Sequence, residues 1–267
     1  GLSHRRLSII DLSSSGHQPM KSFSGRYIIA FNGEIYNHQD IRKEITDLEN
    51  EVQWRGHSDT ETLLAGIDAW GLEKTLRKSV GMFAIALWDR QERALYLACD
   101  RMGEKPLYYG WQSGVFLFGS ELKALKVHPA FEGIIDRDAL TLLLRYSCIP
   151  APYSIYKGIK KLQPGRFLKL SVGVGKFVKG VFPEQQPFWL LEDVITNGVE
   201  NRFVGGDSDA VETLLHLLRD SVQQQMVADV PLGAFLSGGI DSSVIVALMQ
   251  EQSPGKVKTF SIGFNEV

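Results

Sequence analysis

Residues 237–243, Ser-Gly-Gly-Ile-Asp-Ser-Ser, bring two glycines, one carboxylate and three hydroxyl groups together in seven positions. The apolar run Leu232–Leu236 before them is typical of a short buried strand, and the apolar spacing after them is helical. A strand that turns sharply into a helix directs backbone N–H groups and the helix dipole at one point, where anions bind. No Lys-Ser/Thr pair follows the glycines, so this is not a Walker A loop. The pattern predicts another kind of phosphate site, against the alternative that Asp241 or Ser242 only caps the helix.

Three stretches nearer the start carry groups that could bind an amino acid, and each has a structural alternative. Arg6 in "HRRLSIID" could grip a carboxylate with its planar fork, or it could be a solvated arginine at a strand edge. Asn32 and Gly33 in "FNGEIYN" could form a hairpin turn or an oxyanion hole. Asp59 could accept a substrate ammonium group, or it could complement the dipole of the helix it begins.

The elements that must position these groups follow from periodicity. Strands are predicted in residues 26–33, 81–89, 94–100, 106–111 and 115–120. Helices are predicted at 37–48, with Asn37 as its N-cap, and at 58–71, with a capping box of Ser58 and Glu61 and a terminal Gly71. Short strands beside helices predict an α+β layered domain with antiparallel sheet.

The second half of the chain is organised differently. Residues 136–146 are predicted to be helical, 150–170 irregular, and a boundary falls near 190–208 where Gly, Pro, Gln and Asn accumulate. A new helix is predicted from Asp209, with Glu212 at the capping-box position. The strand, the glycine turn, its helix and the strand "VKTFSIGF" form a βαβ unit, which requires a parallel sheet.

Composition limits the classes of function. The chain has 267 residues, 44% of them apolar and 22% charged, with a net charge of −2, so nothing points to nucleic acid or an anionic membrane. Two cysteines cannot build a disulfide framework, and we expect a cytoplasmic location. No apolar run approaches the roughly 20 residues that span a bilayer.

Two families share these motifs. Ser237–Ser243 resembles the SGGxDS signature of the PP-loop ATP pyrophosphatases. With "HRRLSIID", "FNGEIYN", Asp59, "DRMGEKPLYYG" and "GSELKAL", nearly the whole chain resembles glutamine-hydrolysing asparagine synthetase. The resemblance implies an α+β, αββα layered domain of the N-terminal-nucleophile hydrolase type, with antiparallel sheets, followed by the beginning of an α/β parallel-sheet PP-loop domain. We place the amidotransferase domain at 1–190, a linker at 191–208 and the incomplete synthetase domain at 209–267.

The resemblance also implies roles for individual positions. Arg6 would bind the α-carboxylate of glutamine and Asp59 its α-amino group, while Asn32 and Gly33 would form the oxyanion hole. The positions implied to line the glutamine pocket are Leu7, Ser8, Ile9, Ile10 and Glu34. The positions implied to hold ATP are Phe235, Leu236, Ser237, Gly238, Gly239, Asp241, Ser242, Ser243 and Ile262, with Asp241 also helping to carry Mg²⁺.

The implied reaction has two halves. Glutamine would be hydrolysed through a thioester, and its ammonia would amidate aspartate after ATP activates the carboxylate with release of pyrophosphate. Members of the family begin with a cysteine nucleophile, but residue 1 here is Gly, and Cys99 and Cys148 are expected to be small buried apolar residues. We expect the sequence to lack both an N-terminal segment and part of its C-terminal domain. The expected partners are small molecules, with a homodimer as a possibility and no membrane or nucleic acid.

Three alternatives stay open. A β-lactam-synthetase type of ligase would carry a vestigial glutamine pocket, whereas Arg6, Asn32, Gly33 and Asp59 are all present here. An amidotransferase could act on a carboxylate other than aspartate. A non-enzymatic module could sense glutamine or nucleotide, although a sensor has little need of a pyrophosphate-release site.

Residues 1–267 alone are expected to show neither glutaminase nor synthetase activity, because we expect this stretch to lack the N-terminal cysteine and part of the synthetase domain. The measurement is ammonia release from glutamine by the purified fragment. Turnover above the buffer background would contradict the expectation.

Overall fold

The computed structural model describes residues 1–48, 52–171 and 180–263. Its contacts divide the chain into two compact units. The first unit contains Gly1–Leu7 and Ser13–Val194, and the second contains Ser8–Leu12 and Ile195–Val267. The domain boundaries predicted from the sequence stay a prediction. Within the predicted linker at 191–208, the structure has one helix and the first residues of another.

The first unit contains two antiparallel sheets, six α-helices and a short 3-10 helix (Ser14–Gly16) among its described residues. The larger sheet has the order β1 (Met20–Lys21), β2 (Tyr27–Ile35), β3 (Gly81–Asp89), β4 (Ala94–Cys99), β8 (Arg166–Ser171) and β9 (Gln185–Pro187). The smaller sheet has the order β6 (Val115–Gly119), β5 (Tyr108–Gln112) and β7 (Ile159–Lys161). The helices are α1 (His38–Leu48), α2 (Asp59–Trp70), α3 (Leu72–Lys78), α4 (Leu122–Lys126), α5 (Arg137–Tyr146) and α6 (Leu191–Glu200), the last of which extends into the second unit.

The larger sheet is buried on both faces because its central strands are apolar at consecutive positions. In β3, Ile85 and Leu87 face the helices, whereas Ala84 and Ala86 face the smaller sheet, as the two-residue period of a strand requires. The helix-side core is made of Ile29, Phe31, Ile41, Ile45, Leu63, Leu64, Ile67, Leu76, Ile85 and Leu87. The core between the sheets includes Leu95, Leu97, Cys99, Leu107, Tyr109, Leu162 and Leu168.

The two predicted helices of the first half form, with differences at their starts. Ser58 caps α2 by accepting the N–H of Glu61 at 3.2 Å. Only half of the predicted capping box is present, because the Glu61 carboxylate instead accepts the N–H groups of Arg55 and Gly56. At α1, the side chain of Asn37 bonds to the backbone just before β3, so it joins two elements.

The prediction of irregular structure over residues 150–170 was wrong. Strands β7 and β8 lie there, and β8 pairs with β4 in the larger sheet. Pro164 and Gly165 occupy only the turn between the two strands. The Pro and Gly residues mark only a turn. Strands β7 and β8 on either side of it are too short to show the two-residue alternation of a strand in the sequence.

The second unit is built on helix α7 (Asp207–Gln225), strand β10 (Gly233–Phe235), helix α8 (Ile240–Gln252) and strand β11 (Lys258–Phe260). Strands β10 and β11 are parallel, which confirms the βαβ prediction. Helix α7 begins at Asp207 rather than Asp209, because the Asp209 carboxylate caps it by accepting the N–H of Gly206 at 2.9 Å. The strand predicted to be buried is exposed, with Phe235 at 75%, since among the described residues its sheet has only two strands.

Across the part of the chain that the structure describes, every helix is too short or too polar to cross a membrane.

Candidate functional site

The direction of the N–H groups in β2 follows from its pairing with β3. Gly33 lies opposite Phe83 in the register, and Tyr36, just beyond β2, donates its N–H to Val80 at 2.8 Å. Backbone groups of successive residues in a strand point to opposite sides. Even-numbered residues therefore bond toward β3, and the N–H of Gly33 points to the opposite edge of β2.

That opposite edge carries a short row of N–H groups. Phe31 donates its N–H to the Gln18 side chain at 2.7 Å. Ile35 donates its N–H to a carboxylate oxygen of Asp59 at 3.0 Å. The Gly33 N–H lies between these two, so it points outward at a position where its neighbours hold a polar side chain and an anion. We call this stretch of β2 the Gly33 edge.

Only glycine fits at position 33. A Cβ there would lie 2.0 Å from the carbonyl oxygen of Met82 and 2.7 Å from the Cα of Phe83. The neighbouring Asn32 is half-buried and donates from Nδ2 to the Ser120 hydroxyl at 3.1 Å. The alternative of a hairpin turn at these two residues is excluded, because they lie inside a continuous strand.

Asp59 is the buried acid of this region, with 5% of its surface exposed. Its Oδ2 accepts the N–H of Ile35 and its Oδ1 accepts the N–H of Thr60 at 2.8 Å. Burial raises the pKa of Asp59, while these hydrogen bonds and the charges of His38 and Arg6 act in the opposite direction. An acid held at the start of α2 therefore also lies at the Gly33 edge.

Two further predicted site residues, Arg6 and Glu34, interact electrostatically with Asp59. Arg6 is half-buried, and its charge opposes the burial that raises the pKa of Asp59. Burial lowers the pKa of His4, and the charge of Arg6 lowers it further. Burial and the charge of Asp59 raise the pKa of Glu34, and the charge of Lys105 opposes them. The structure therefore brings Arg6, Glu34 and Asp59 into one neighbourhood beside Asn32 and Gly33.

The other predicted pocket residues are placed differently. Leu7 is 86% exposed. Ser8, Ile9 and Ile10 belong to the second unit, where the carbonyl of Ile9 accepts the N–H of Asp229 at 2.9 Å. Their role in a glutamine pocket stays a prediction.

The cysteines were expected to be buried, and this holds for one of them. Cys99 is buried between the sheets, where burial raises its pKa to about 12, so its thiol stays protonated at neutral pH. Cys148 is exposed, which contradicts the expectation. It follows the last turn of α5, where the apolar run that suggested burial faces outward.

The second unit places the predicted phosphate loop between β10 and α8. Gly238 has a φ of +82°, which favours glycine, and nothing lies within 4 Å of a Cβ built there. The hydroxyls of Ser237 and Ser242 are 3.0 Å apart, and Ser243 donates to the Gly239 carbonyl at 2.8 Å. The loop therefore leaves its glycine backbone open while its hydroxyls bond within the loop.

Residues on both strands flank this loop. Leu236 donates its N–H to Phe260 at 2.8 Å, and the Ser261 hydroxyl donates to Leu236 at 2.6 Å. The rings of Phe235 and Phe260 are 6.4 Å apart, and Phe235 and Ile262 are each 75% exposed. These apolar surfaces are open to a flat ligand.

Asp241, the predicted metal ligand, lies in the first turn of α8. Among the described residues, no three His, Cys, Asp or Glu side chains cluster as metal ligands. Mg²⁺ bound with phosphates commonly takes only one or two protein carboxylates, so a single aspartate beside a phosphate loop fits this ion.

Sequence reasoning missed several residues that contact the site. Gln18 carries no local signal, because it meets β2 only through the fold. Ser120 and Lys105 fall inside "GSELKAL" and "DRMGEKPLYYG", which the sequence singled out without giving them a role.

Comparison with known proteins gives the class of this chain. Residues 1–180 match the family model for the glutamine amidotransferase domain, and residues 213–266 match the model for asparagine synthase. Because the first match covers more than half of the chain, the chain belongs to the glutamine amidotransferase domain family. The predicted N-terminal-nucleophile hydrolase-like fold, with its antiparallel sheets, is confirmed.

Individual relatives agree with this class. Asparagine synthetase (glutamine-hydrolyzing) 3 of Bacillus subtilis is 34% identical over 98% of this chain and 41% of its own length. Amidase chyE of Penicillium rubens is 31% identical over 100% of this chain and 39% of its own length. A solved structure described as the allosteric regulatory enzyme of purine biosynthesis superposes with a TM-score of 0.49 at 16% identity, covering 97% of this chain and 50% of that one.

The predicted resemblance to glutamine-hydrolysing asparagine synthetases is confirmed by the two family models and by the curated relatives of that name. The chain spans between 39% and 51% of the length of the first curated relatives it matches.

The two cysteines should differ in reactivity toward a thiol reagent at neutral pH. Cys148 is exposed, whereas Cys99 is buried with a pKa raised to about 12. In a protein of residues 1–267, we expect one thiol to react in the native state and two in denaturant. Cys148→Ser should abolish the native reaction and Cys99→Ser should leave it unchanged. Fast native labelling of Cys99 would contradict the assignment.

Proposed function

We propose that the first unit binds glutamine and presents its side-chain carbonyl to the Gly33 edge, as part of a glutamine-dependent amidotransferase. The observation that carries this proposal is the outward N–H of Gly33 beside the buried carboxylate of Asp59. A fixed N–H group aimed at an oxygen that becomes negative is the essential part of an oxyanion hole. The Nδ2 group of Asn32 would be the second donor, since it has two hydrogens and Ser120 accepts one.

The charges around this edge suit the two ends of an amino acid. The guanidinium of Arg6 would bind the α-carboxylate through its planar fork. Asp59 would hold the α-ammonium group, because a carboxylate has about four acceptor positions and its two N–H partners use only part of them. Glu34 would lie beside the ligand, with Leu7 as a further contact.

The raised pKa of Asp59 supports this role. Burial of a carboxylate is costly, and a bound ammonium would add to the compensation that the charges of His38 and Arg6 provide. Attack on the glutamine amide would need a nucleophile other than Cys99, whose thiol is buried and protonated. We propose an N-terminal cysteine of the whole protein for that step, on the basis of the family.

For the second unit we propose ATP binding. The glycine backbone at Gly238 and Gly239 and the N-terminus of α8 would hold phosphates. The hydroxyls of Ser237, Ser242 and Ser243 would exchange their present bonds for phosphate oxygens, and Asp241 would help to hold Mg²⁺, which would neutralise phosphate charge. Phe235, Leu236 and Ile262 would contact the base.

The reaction we propose for the whole protein is amidation of aspartate to asparagine. The ammonia comes from glutamine, and the carboxylate is activated by ATP with release of AMP and pyrophosphate. The curated relatives named asparagine synthetase support this acceptor. The similarity to amidase chyE favours a second candidate, an enzyme of the same architecture that acts on another carboxylate. A product assay with aspartate against other carboxylic acids separates the two. A homodimer and a cytoplasmic location stay predictions.

Glutamine binding should depend on pH through Asp59. The ammonium group of glutamine requires an ionised carboxylate. Burial raises the pKa of Asp59 in the protein without glutamine, so the affinity for glutamine should be highest above that pKa and should weaken as the pH falls below it. Asp59→Asn should lower affinity by about 10- to 100-fold at neutral pH, since hydrogen bonds to charged groups contribute about 1.5–3 kcal/mol. It should also remove this pH dependence.

Isothermal titration across pH measures both effects. The matched control is Asp40→Asn, which changes an exposed aspartate in the first turn of α1. Glutamine affinity equal in the Asp59→Asn and unchanged proteins would overturn the assignment.

Pyrophosphate release should depend on Asp241. We expect Asp241→Asn to lower the rate of ATP conversion to AMP and pyrophosphate by about 100-fold or more, because a metal-held charge contributes several kcal/mol. The assay uses the protein expressed from its complete reading frame, with Mg²⁺, glutamine and aspartate. Asp207→Asn, at the start of α7, is the control and should stay within about twofold. Equal rates in the two variants would exclude the proposed metal ligand.

A further inference from the structure

The loop that follows β4, residues 100–105, is organised by one buried carboxylate. Asp100 is 0% exposed. Its Oδ1 accepts the N–H groups of Met102 at 3.1 Å and Glu104 at 2.9 Å, and its Oδ2 accepts those of Phe83 and Lys105, both at 3.0 Å. Four N–H donors compensate the burial of this charge, so the carboxylate fixes the loop and joins it to β3.

Where β3 and β4 separate, the carboxylate of Asp100 accepts a hydrogen bond that a backbone carbonyl would otherwise accept. The last pair of the β3–β4 ladder is Ala84 with Cys99. Beyond it, the N–H of Asp100 still donates to Phe83 at 2.9 Å, but the carbonyl of Asp100 accepts from Gly165 at 2.8 Å. The Phe83 N–H would lose its partner at this point, and the Asp100 side chain supplies the replacement.

The next residue, Arg101, fixes the chain just before β3. Arg101 donates from Nη1 to the carbonyl of Ser79 at 2.6 Å and from Nη2 to that of Arg77 at 2.8 Å. The 100–105 loop therefore grips the chain at Ser79 and at Phe83, on either side of the first residues of β3.

The part of β3 held in this way pairs with β2 directly behind Gly33, on the side of β2 opposite the Gly33 edge. The carbonyl oxygen of Met82 lies 2.0 Å from where a Cβ of Gly33 would be. At the first residue of β3, the carbonyl oxygen of Glu34 lies 2.1 Å from where a Cβ of Gly81 would be. Packing this close transmits any displacement of β3 to Gly33, because there is no side chain between the two backbones to absorb it.

We propose that Asp100 is a positioning residue that fixes the Gly33 N–H through Phe83, with Arg101 as its second anchor. The proposal rests on the proposed function, in which that N–H stabilises the developing oxyanion. Stabilisation of this kind depends on a donor held rigidly at one position, so loosening β3 should slow catalysis more than it weakens glutamine binding.

The far end of β3 offers a matched control. Asp89 is 1% exposed, accepts the N–H groups of Gln91 at 2.9 Å and Glu92 at 3.0 Å, and is held by Arg26. Like Asp100, it is a buried carboxylate that accepts backbone N–H groups, but it lies at the other end of β3, about 20 Å from Phe83 at roughly 3.3 Å per residue.

The decisive comparison is Asp100→Asn against Asp89→Asn. In the protein expressed from its complete reading frame, with rates divided by the folded fraction, Asp100→Asn should lower kcat for glutamine hydrolysis about 10- to 100-fold. Its KM should stay within about threefold. Asp89→Asn should leave both constants within about twofold. Equal effects of the two variants would reduce Asp100 to a stabilising residue and overturn the proposal.

A second readout needs no turnover. The ¹H–¹⁵N resonance of the Gly33 amide should move in Asp100→Asn and stay in place in Asp89→Asn, and an unmoved resonance in Asp100→Asn would contradict the proposal. If the unchanged enzyme fails to hydrolyse glutamine, the proposed function fails, and this resonance alone decides whether Asp100 positions Gly33.

A second pair of variants tests the proposal in case Asp100→Asn does not fold. Arg101→Ala should lower kcat in the same way, because it removes the donors to Arg77 and Ser79. Arg26→Ala, at the Asp89 end, is its control and should not lower kcat. A fall of the same size in both arginine variants would count against the proposal.

Discussion

Strands β2 and β3 approach so closely at Gly33 that the space for a side chain is filled by the carbonyl of Met82. This contact keeps β2 continuous through the Asn-Gly pair and preserves the alternation of its N–H groups. The donors of Phe31, Gly33 and Ile35 therefore share one edge. The rest of the site consists of groups that meet this edge or fix the strand behind it.

Asp59 connects that edge to the helical layer. The same residue begins α2, accepts the N–H of Ile35 and carries a buried charge. Because Ser58 caps the helix, the carboxylate of Asp59 is not needed for capping and can face the strand. The position of α2 against the sheet thus decides where the negative charge lies, and the charges of Arg6 and Glu34 are coupled to it.

The second unit uses backbone donors in a different way. Its loop turns through Gly238 into α8, so the free N–H groups are those of a helix start. Its hydroxyls bond to one another and to the Gly239 carbonyl, and these bonds join the glycine turn to the first turn of α8. In both units the donors lie where a glycine replaces a side chain, since only then can a ligand or a strand approach the backbone directly.

The sequence by itself determined the long elements, the glycine turn and most of the residue types at the site. Strand β3 is a continuous apolar run, helices α1 and α2 carry apolar residues at helical spacing, and Ser237–Ser243 keeps all of its groups within seven positions. Tertiary structure alone decided the roles of Gln18 and Asp100, the half-formed capping box at Glu61 and the exposure of Cys148. It also decided that β8 lies beside β4. The physical reason is that each of these depends on a partner distant in sequence or on what covers a surface, and local spacing records neither.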